Sequence, residues 1–206
     1  MSHNISIVGV VGAGQMGAGI AHVAAAAGYG VVLTDISQSA VDRGLASIES
    51  NLGRQVRKAQ KIADKTGGTP SFVKSDAEEA LSRIRTSTEL SAHGEAQLVV
   101  EAATENVSLK YGIFESLSGI AAPGALLCSN TSSISITAIA AHTDRPDKVM
   151  GMHFMNPVPV MKLVELIRGL ATSDETYAAV AAASERMGKT TVEGRDMPGF
   201  IVNRVL

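Results

Sequence analysis

Ile5-Ser6-Ile7-Val8-Gly9-Val10-Val11-Gly12-Ala13-Gly14-Gln15-Met16-Gly17 is the stretch that decides the fold. A β-branched apolar run leads straight into Gly-x-Gly-x-x-Gly. An alanine-rich segment of helical composition, Ala18 to Ala27, follows. A second apolar run, Gly30-Val31-Val32-Leu33-Thr34, then ends on Asp35. Strand, glycine turn, helix, strand and acid, in that order, form the arrangement that binds a dinucleotide. Gly12 permits the tight turn, Gly14 lets the backbone approach a pyrophosphate, and Gly17 lets the helix pack close to the strand. The helix N-terminus then faces the phosphates with free N–H groups and a partial positive charge, and Gln15 and Met16 join the glycines as cofactor-binding candidates.

Asp35 bears on the choice of dinucleotide. It lies about 20 residues past the glycines, where a carboxylate accepts hydrogen bonds from the adenosine ribose hydroxyls and repels a 2′-phosphate. The next basic residue, Arg43, stands too far along to be the obvious phosphate clamp. NAD is therefore favoured over NADP. The competing role for Asp35 is to cap the following helix, and the two roles are compatible.

The bulk numbers narrow the class. A chain of 206 residues is one ordinary domain with at most part of another. Hydrophobic residues make up 45% and aromatics only 3%, with no Trp, so the core is aliphatic. A formal net charge of −2 gives no reason to expect nucleic-acid binding. No run approaches the length of a membrane span, and Met1 to Asn4 is too short for a signal peptide. Cys128 is the single cysteine, so no internal disulfide forms and an intracellular setting fits. Within Ala125-Leu126-Leu127-Cys128 it reads as a buried strand residue rather than a nucleophile. The sequence contains no metal-ligand pattern, internal repeat or low-complexity tract.

Strand-like and helix-like segments alternate, which predicts a doubly wound α/β fold, a mostly parallel sheet with helices on both faces. After Asp35, Leu45, Ile48, Leu52, Val56, Ala59 and Ile62 recur at three- and four-residue steps and predict one apolar helix face. Thr66-Gly67-Gly68-Thr69-Pro70 ends that helix. Expected next are a short helix Ala77 to Arg83, a strand Gln97 to Ala102, a helix Leu109 to Ile120, a strand Ala125 to Cys128 and a short helix Ile134 to Ala141. A strand Lys148 to Phe154 leads into Asn156-Pro157-Val158-Pro159, which two prolines make irregular. Leu163 to Ile167 is extended, Asp174 to Met187 helical, and Thr190 to Val192 a last short strand. Pro198-Gly199 opens a new helix that runs to Leu206.

Several residues carry candidate chemistry. His153 ends a strand and Glu165 lies on the next extended segment. If those segments run side by side, the carboxylate meets the imidazole, orients it and favours its protonated form. Such a histidine accepts a proton from an alcohol while hydride leaves the same carbon for NAD+. A histidine on an apolar strand is also commonly a satisfied core group, the role assigned to His3, His22, His93 and His142. Ser129-Asn130-Thr131-Ser132-Ser133 and Thr104-Glu105-Asn106 follow strands, where loops line the crevice of an open parallel sheet. Helix capping is their alternative. Arg54, Arg57, Lys58, Lys61 and Lys65 gather along one side of the long helix. They form either a solvated face or a landing site for a polyanion such as a nucleotide-tailed thioester.

Ser129-Asn130-Thr131-Ser132-Ser133, the block Gly151-Met152-His153-Phe154-Met155-Asn156-Pro157-Val158-Pro159-Val160-Met161-Lys162-Leu163-Val164-Glu165, and Pro198-Gly199-Phe200-Ile201-Val202-Asn203-Arg204 together resemble the L-3-hydroxyacyl-CoA dehydrogenases. The likeness runs from about Ile5 to Leu206. It implies a Rossmann-like domain over 1–198, with 199–206 beginning a helical C-terminal domain that completes a homodimer in the family. It implies NAD-dependent oxidation of L-3-hydroxyacyl-CoA, with His153 as general acid/base and Glu165 as its partner. Ser132 would hydrogen-bond the substrate oxygen, and Asn203 would hold substrate near the pair. Glu105, Lys110 and Asn130 match positions that contact NAD, and Lys58 matches a residue on the CoA tail. Asn51 stands where some members carry a serine on that tail. The segment Thr66 to Asp76 looks longer than in relatives and follows the long helix on the CoA side. With the helical domain apparently missing, the chain is expected to bind NAD and turn over acyl-CoA weakly. The implied setting is intracellular, cytoplasmic or in mitochondria or peroxisomes. Two other readings stay open: a sugar-acid dehydrogenase on the same fold, and a crystallin-like NAD-binding structural protein.

Overall fold

The computed structural model describes residues 4–197. The chain runs β1 (Ile7–Val11), α1 (Gln15–Ala26), β2 (Gly30–Thr34), α2 (Gln38–Thr66), α3 (Lys74–Ser82), β3 (Ile84–Ser87), β4 (Leu98–Glu101), α4 (Val107–Ile120), β5 (Leu126–Ser129), α5 (Ile136–Ala140), β6 (Val149–Phe154), β7 (Leu163–Arg168), α6 (Asp174–Arg186) and β8 (Thr190–Arg195). The strands form one sheet in the order β3-β2-β1-β4-β5-β6-β7-β8. β1 to β6 are parallel, β7 turns back against β6, and β8 runs parallel to β7. Strand order reverses between β1 and β4, and an open α/β sheet has its ligand crevice at that switch point.

Both faces of the sheet are covered, which is why β4 and β5 are buried along their whole length. One apolar layer gathers Val8, Val10, Leu98, Val100 and Cys128 with α1, α2, α3 and α6. The other gathers Val99, Leu127 and Val149 with α4 and α5. Burial of Cys128 pushes its thiol well above the usual range, consistent with a strand residue and no nucleophile.

α2 starts at Ser37, whose hydroxyl accepts the Ala40 N–H, and ends at Gly67 in the left-handed region with φ +67°. Its buried face is Val41, Gly44, Ile48, Leu52, Ala59 and Ala63. Ile62 is exposed, against the expectation from spacing, because Ala63 continues the inward row from Ala59. β3 has no counterpart in the expected elements. It is an edge strand whose middle residues, Arg85 and Thr86, are exposed, so it carries no apolar run. Other elements shift by a few residues, as with α3 at Lys74–Ser82 and α5 at Ile136–Ala140. The expected helix from Pro198 and the residues Asn203 and His3 lie outside the described residues, as does the proposed boundary at 198/199. Among the described residues no helix is long and apolar enough to cross a membrane.

Candidate active site

Gly12 adopts φ +99°, and its N–H bonds to the carbonyl of Thr34 at 2.8 Å. A Cβ on Gly17 would stand 1.7 Å from the Gly12 oxygen. Packing therefore demands both glycines. Gly14 differs, since a Cβ there would meet no protein atom within 4 Å. Its openness serves whatever approaches from the cleft, at the N-terminus of α1, where no side chain caps the helix. Gln15 is exposed there, whereas the side chain of Met16 packs on the core, which leaves its backbone N–H as the group available to a phosphate.

Asp35 reaches back from the end of β2 to this turn. One carboxylate oxygen accepts the Ala13 N–H and the other the Ile36 N–H, both at 2.7 Å. The cap of α2 is Ser37, so the competing capping role for Asp35 falls away. Val11, Gly12, Ile36, Ala102, Leu109 and Ile113 line an apolar cavity of about 550 Å³ beside Asp35, suited to a flat heterocycle. Arg43, discounted on its sequence distance, lies with Gly14, Gln15, Asp35 and Ser47 in the wall of the neighbouring cleft. One and a half turns of α2 bring it back, a proximity that separation along the chain hides.

At the other side of the crevice the β6–β7 register places His153 directly opposite Glu165. His153 Nδ1 lies 2.7 Å from Glu165 Oε2. The glutamate side chain is 1% exposed and the imidazole 12%. The pair is thus assembled at the carboxyl end of β6, with the carboxylate fully buried and the imidazole slightly exposed.

Between these two halves lies a buried polar network. Lys110 Nζ donates to Glu101 Oε1 at 2.6 Å, and Ser129 Oγ donates to Glu101 Oε2 at 2.6 Å. Lys110, expected on the cofactor side, is placed inside this network. Its ammonium is 1% exposed and bound to Glu101, with Glu105 at 3.4 Å, so it supports the crevice from inside. Glu105 accepts hydrogen bonds from Thr131 Oγ1, the Ser132 N–H and Ser133 Oγ. Burial acts to raise the Glu105 pKa, but the Thr131 bond, the Lys110 charge and the Ser132 N–H together hold it below the usual value. Ser132 Oγ lies 3.4 Å from the same carboxylate. Asn130 Oδ1 accepts the Phe154 N–H at 2.9 Å, pinning β6 immediately after His153. Glu101 escaped the sequence reading, although a carboxylate closing an otherwise apolar buried strand was the visible signal.

A groove of about 700 Å³ runs between α2 and the loop joining β6 to β7. Asn51, Arg54 and Lys58 line one side, Pro159, Val160 and Lys162 the other. Arg57, Lys61 and Lys65 are exposed and do not line it. The segment 66–76, expected to alter substrate access from the CoA side, is not among the residues that line the groove. His22, His93 and His142, expected to be satisfied core groups, fit that role only in part: among the described residues the Nδ1 atoms of His22 and His93 are buried without a partner, and His142 is partly exposed. His22 and His93 are buried against Gln55 and Thr34, and His142 pairs with Glu115.

A doubly wound sheet that sets an imidazole–carboxylate pair across the switch point from a dinucleotide turn defines the class of pyridine-nucleotide oxidoreductases. Comparison with known proteins narrows the class. The family described as "3-hydroxyacyl-CoA dehydrogenase, NAD binding domain" matches residues 7–197. A 3-hydroxybutyryl-CoA dehydrogenase of Bradyrhizobium diazoefficiens is 48% identical over 206 residues, covering 100% of this chain and 67% of its own length. The human "Hydroxyacyl-coenzyme A dehydrogenase, mitochondrial" is 44% identical over 200 residues, 97% of this chain and 62% of that protein. The crystal structure of (S)-3-hydroxybutyryl-CoA dehydrogenase from Ralstonia eutropha superposes with a TM-score of 0.90 at 47% identity, covering 98% of this chain and 68% of that one. The chain belongs to the 3-hydroxyacyl-CoA dehydrogenase family and carries its NAD-binding domain. It spans about two thirds of the length of these relatives.

Proposed function

We propose that this chain catalyses the reversible oxidation of L-3-hydroxyacyl-CoA to 3-oxoacyl-CoA with NAD. The observation that carries the reading is the 2.7 Å contact of His153 with Glu165 at the carboxyl end of β6. Bound NAD supplies the hydride acceptor. Gly12, Gly14, Gly17, the backbone at Gln15 and Met16, and Asp35 would hold it, and the open space at Gly14 fits a phosphate. His153 accepts the 3-hydroxyl proton at Nε2, since Nδ1 is engaged by Glu165. Glu165 fixes the ring and stabilises the imidazolium that forms. In the reverse direction the same nitrogen returns the proton to the carbonyl oxygen. Ser132 and Asn203 are assigned to the substrate, and Glu105, Asn130 and, through Glu101, Lys110 to the cofactor side. Asn51 and Lys58 are assigned to the CoA tail, supported by their place in the groove wall.

The reading extends to fatty-acid or short-chain acyl-CoA metabolism inside the cell and to homodimers, as the family resemblance implies. The test is NADH oxidation with acetoacetyl-CoA, beside NADPH and free 3-oxo acids as alternative partners. Turnover confined to NADH and the thioester supports the proposal. Turnover of the free acids alone transfers the chain to the hydroxy-acid readers of this fold, and NADH binding with no turnover of either points to a structural protein.

A further inference from the structure

Lys189 sits between α6 and β8 and lines the groove between α2 and the β6–β7 loop. Nζ donates to the carbonyl of Val158 at 2.5 Å and to that of Met161 at 2.9 Å. The residue is buried. Burial lowers its pKa, and no carboxylate offsets the effect. Among the described residues it has no carboxylate at ion-pair distance, so its hydrogen bonds hold it, and its two acceptors define what it does. Both belong to the loop between β6 and β7, the connection between His153 and Glu165.

That loop is fixed at other points too. The Pro157 carbonyl accepts the N–H groups of Val160 and Met161, and the Thr190 N–H donates to the Lys162 carbonyl at 2.8 Å. Val158 wedges against α1 where Gly19 leaves room, since a Cβ there would approach Val158 Cβ to 2.8 Å. The outward side chains of Val160, Met161 and Lys162 then form one wall of the groove whose other wall is Asn51, Arg54 and Lys58. Lys189 is the side chain that ties both ends of the Val158–Met161 turn to the body of the domain.

We propose that Lys189 is a positioning residue for the thioester substrate. By holding the Val158 and Met161 carbonyls it sets the wall of the groove facing α2, and with it the fit of the substrate beside His153. The inference rests on the groove taking the CoA thioester. Lys189 itself lines that groove, and the role assigned to it is carried by its hold on the two loop carbonyls rather than by a contact with substrate.

Lys189→Met keeps the apolar stem and removes the donors. The expected result is a rise of about tenfold in KM for acetoacetyl-CoA, with KM for NADH unchanged within about twofold. The amides of Val160 and Met161 should exchange faster, and Lys189→Arg should recover part of the thioester KM. Should Lys189→Met not fold, Lys189→Leu, which likewise removes the donors, carries the same split at smaller size. A thioester KM equal to the parent's, or parallel rises in both KM values, overturns the proposal. A parent enzyme that reduces no CoA thioester refutes the substrate reading instead. In that case amide exchange at Val160 and Met161, unmoved by the substitution, would still overturn the role given to Lys189.

Discussion

Asn130 and Phe154 join the two strand ends that matter most. The carboxamide oxygen of Asn130, just past β5, accepts the N–H of Phe154, one residue beyond His153. The imidazole proposed as the general acid/base is thereby held from two directions, by Glu165 across the antiparallel ladder and by Asn130 through the backbone of β6. Rigid elements on both sides keep a proton-transfer group within the narrow geometry it needs.

His153→Gln should therefore lower kcat for acetoacetyl-CoA reduction by about 10²–10⁴-fold, the usual worth of a general acid/base. Glu165→Gln should act in the same direction and less severely, since the imidazole remains. NADH affinity, read by fluorescence titration, should stay near the parent value in both. Loss of NADH binding together with turnover would mean that the pair supports the crevice rather than the reaction.

Asp35→Ser should weaken NAD binding by roughly tenfold, through loss of charge-assisted hydrogen bonds to the ribose. NADP should gain, because the repelling carboxylate goes while Arg43 remains in the cleft wall. Paired titrations with both cofactors measure the switch. Equal losses for the two would show that Asp35 acts chiefly by holding the Ala13 N–H.

Lys110→Met should destabilise the domain by about 3–5 kcal/mol, because it leaves the Glu101 carboxylate buried without its cation. The double variant with Glu101→Gln should cost less than the two single losses added together, since no charge is then stranded. Urea unfolding of the four proteins reads this coupling. Additive losses would mean that the pair is not a unit.

The fold was legible because its first half follows local rules. The run Ile5–Gly17 and the acid at Asp35 specify strand, turn, helix and strand with little help from the rest of the chain. His153 and Glu165 could be paired in advance only on the condition that their segments lie side by side, and the β6–β7 ladder meets it. What stayed hidden depends on tertiary neighbours. Glu101 and Lys110 are nine positions apart, and only the α4 packing that buries both reveals their contact. Arg43 looked remote because sequence distance ignores the turn of a helix. β3 was invisible because an edge strand needs no apolar alternation.

His93 supplies a pH-dependent stability. It is fully buried, with Nε2 on the Thr34 hydroxyl and Nδ1 without a partner, pressed against Gly9. Burial lowers its pKa from 6.5 to about 4. The depressed folded value means that the neutral form is favoured in the native state. Stability from this residue is complete above pH 6.5, and it is lost as pH falls towards about 4, because the unfolded chain binds the proton first. The loss is on the order of 3 kcal/mol across that window. His22 is shifted in the same direction, by burial first, and adds to the slope. His93→Phe should flatten the fall in urea midpoint over this pH range relative to the parent. An identical fall in the two proteins would assign the acid sensitivity to other groups.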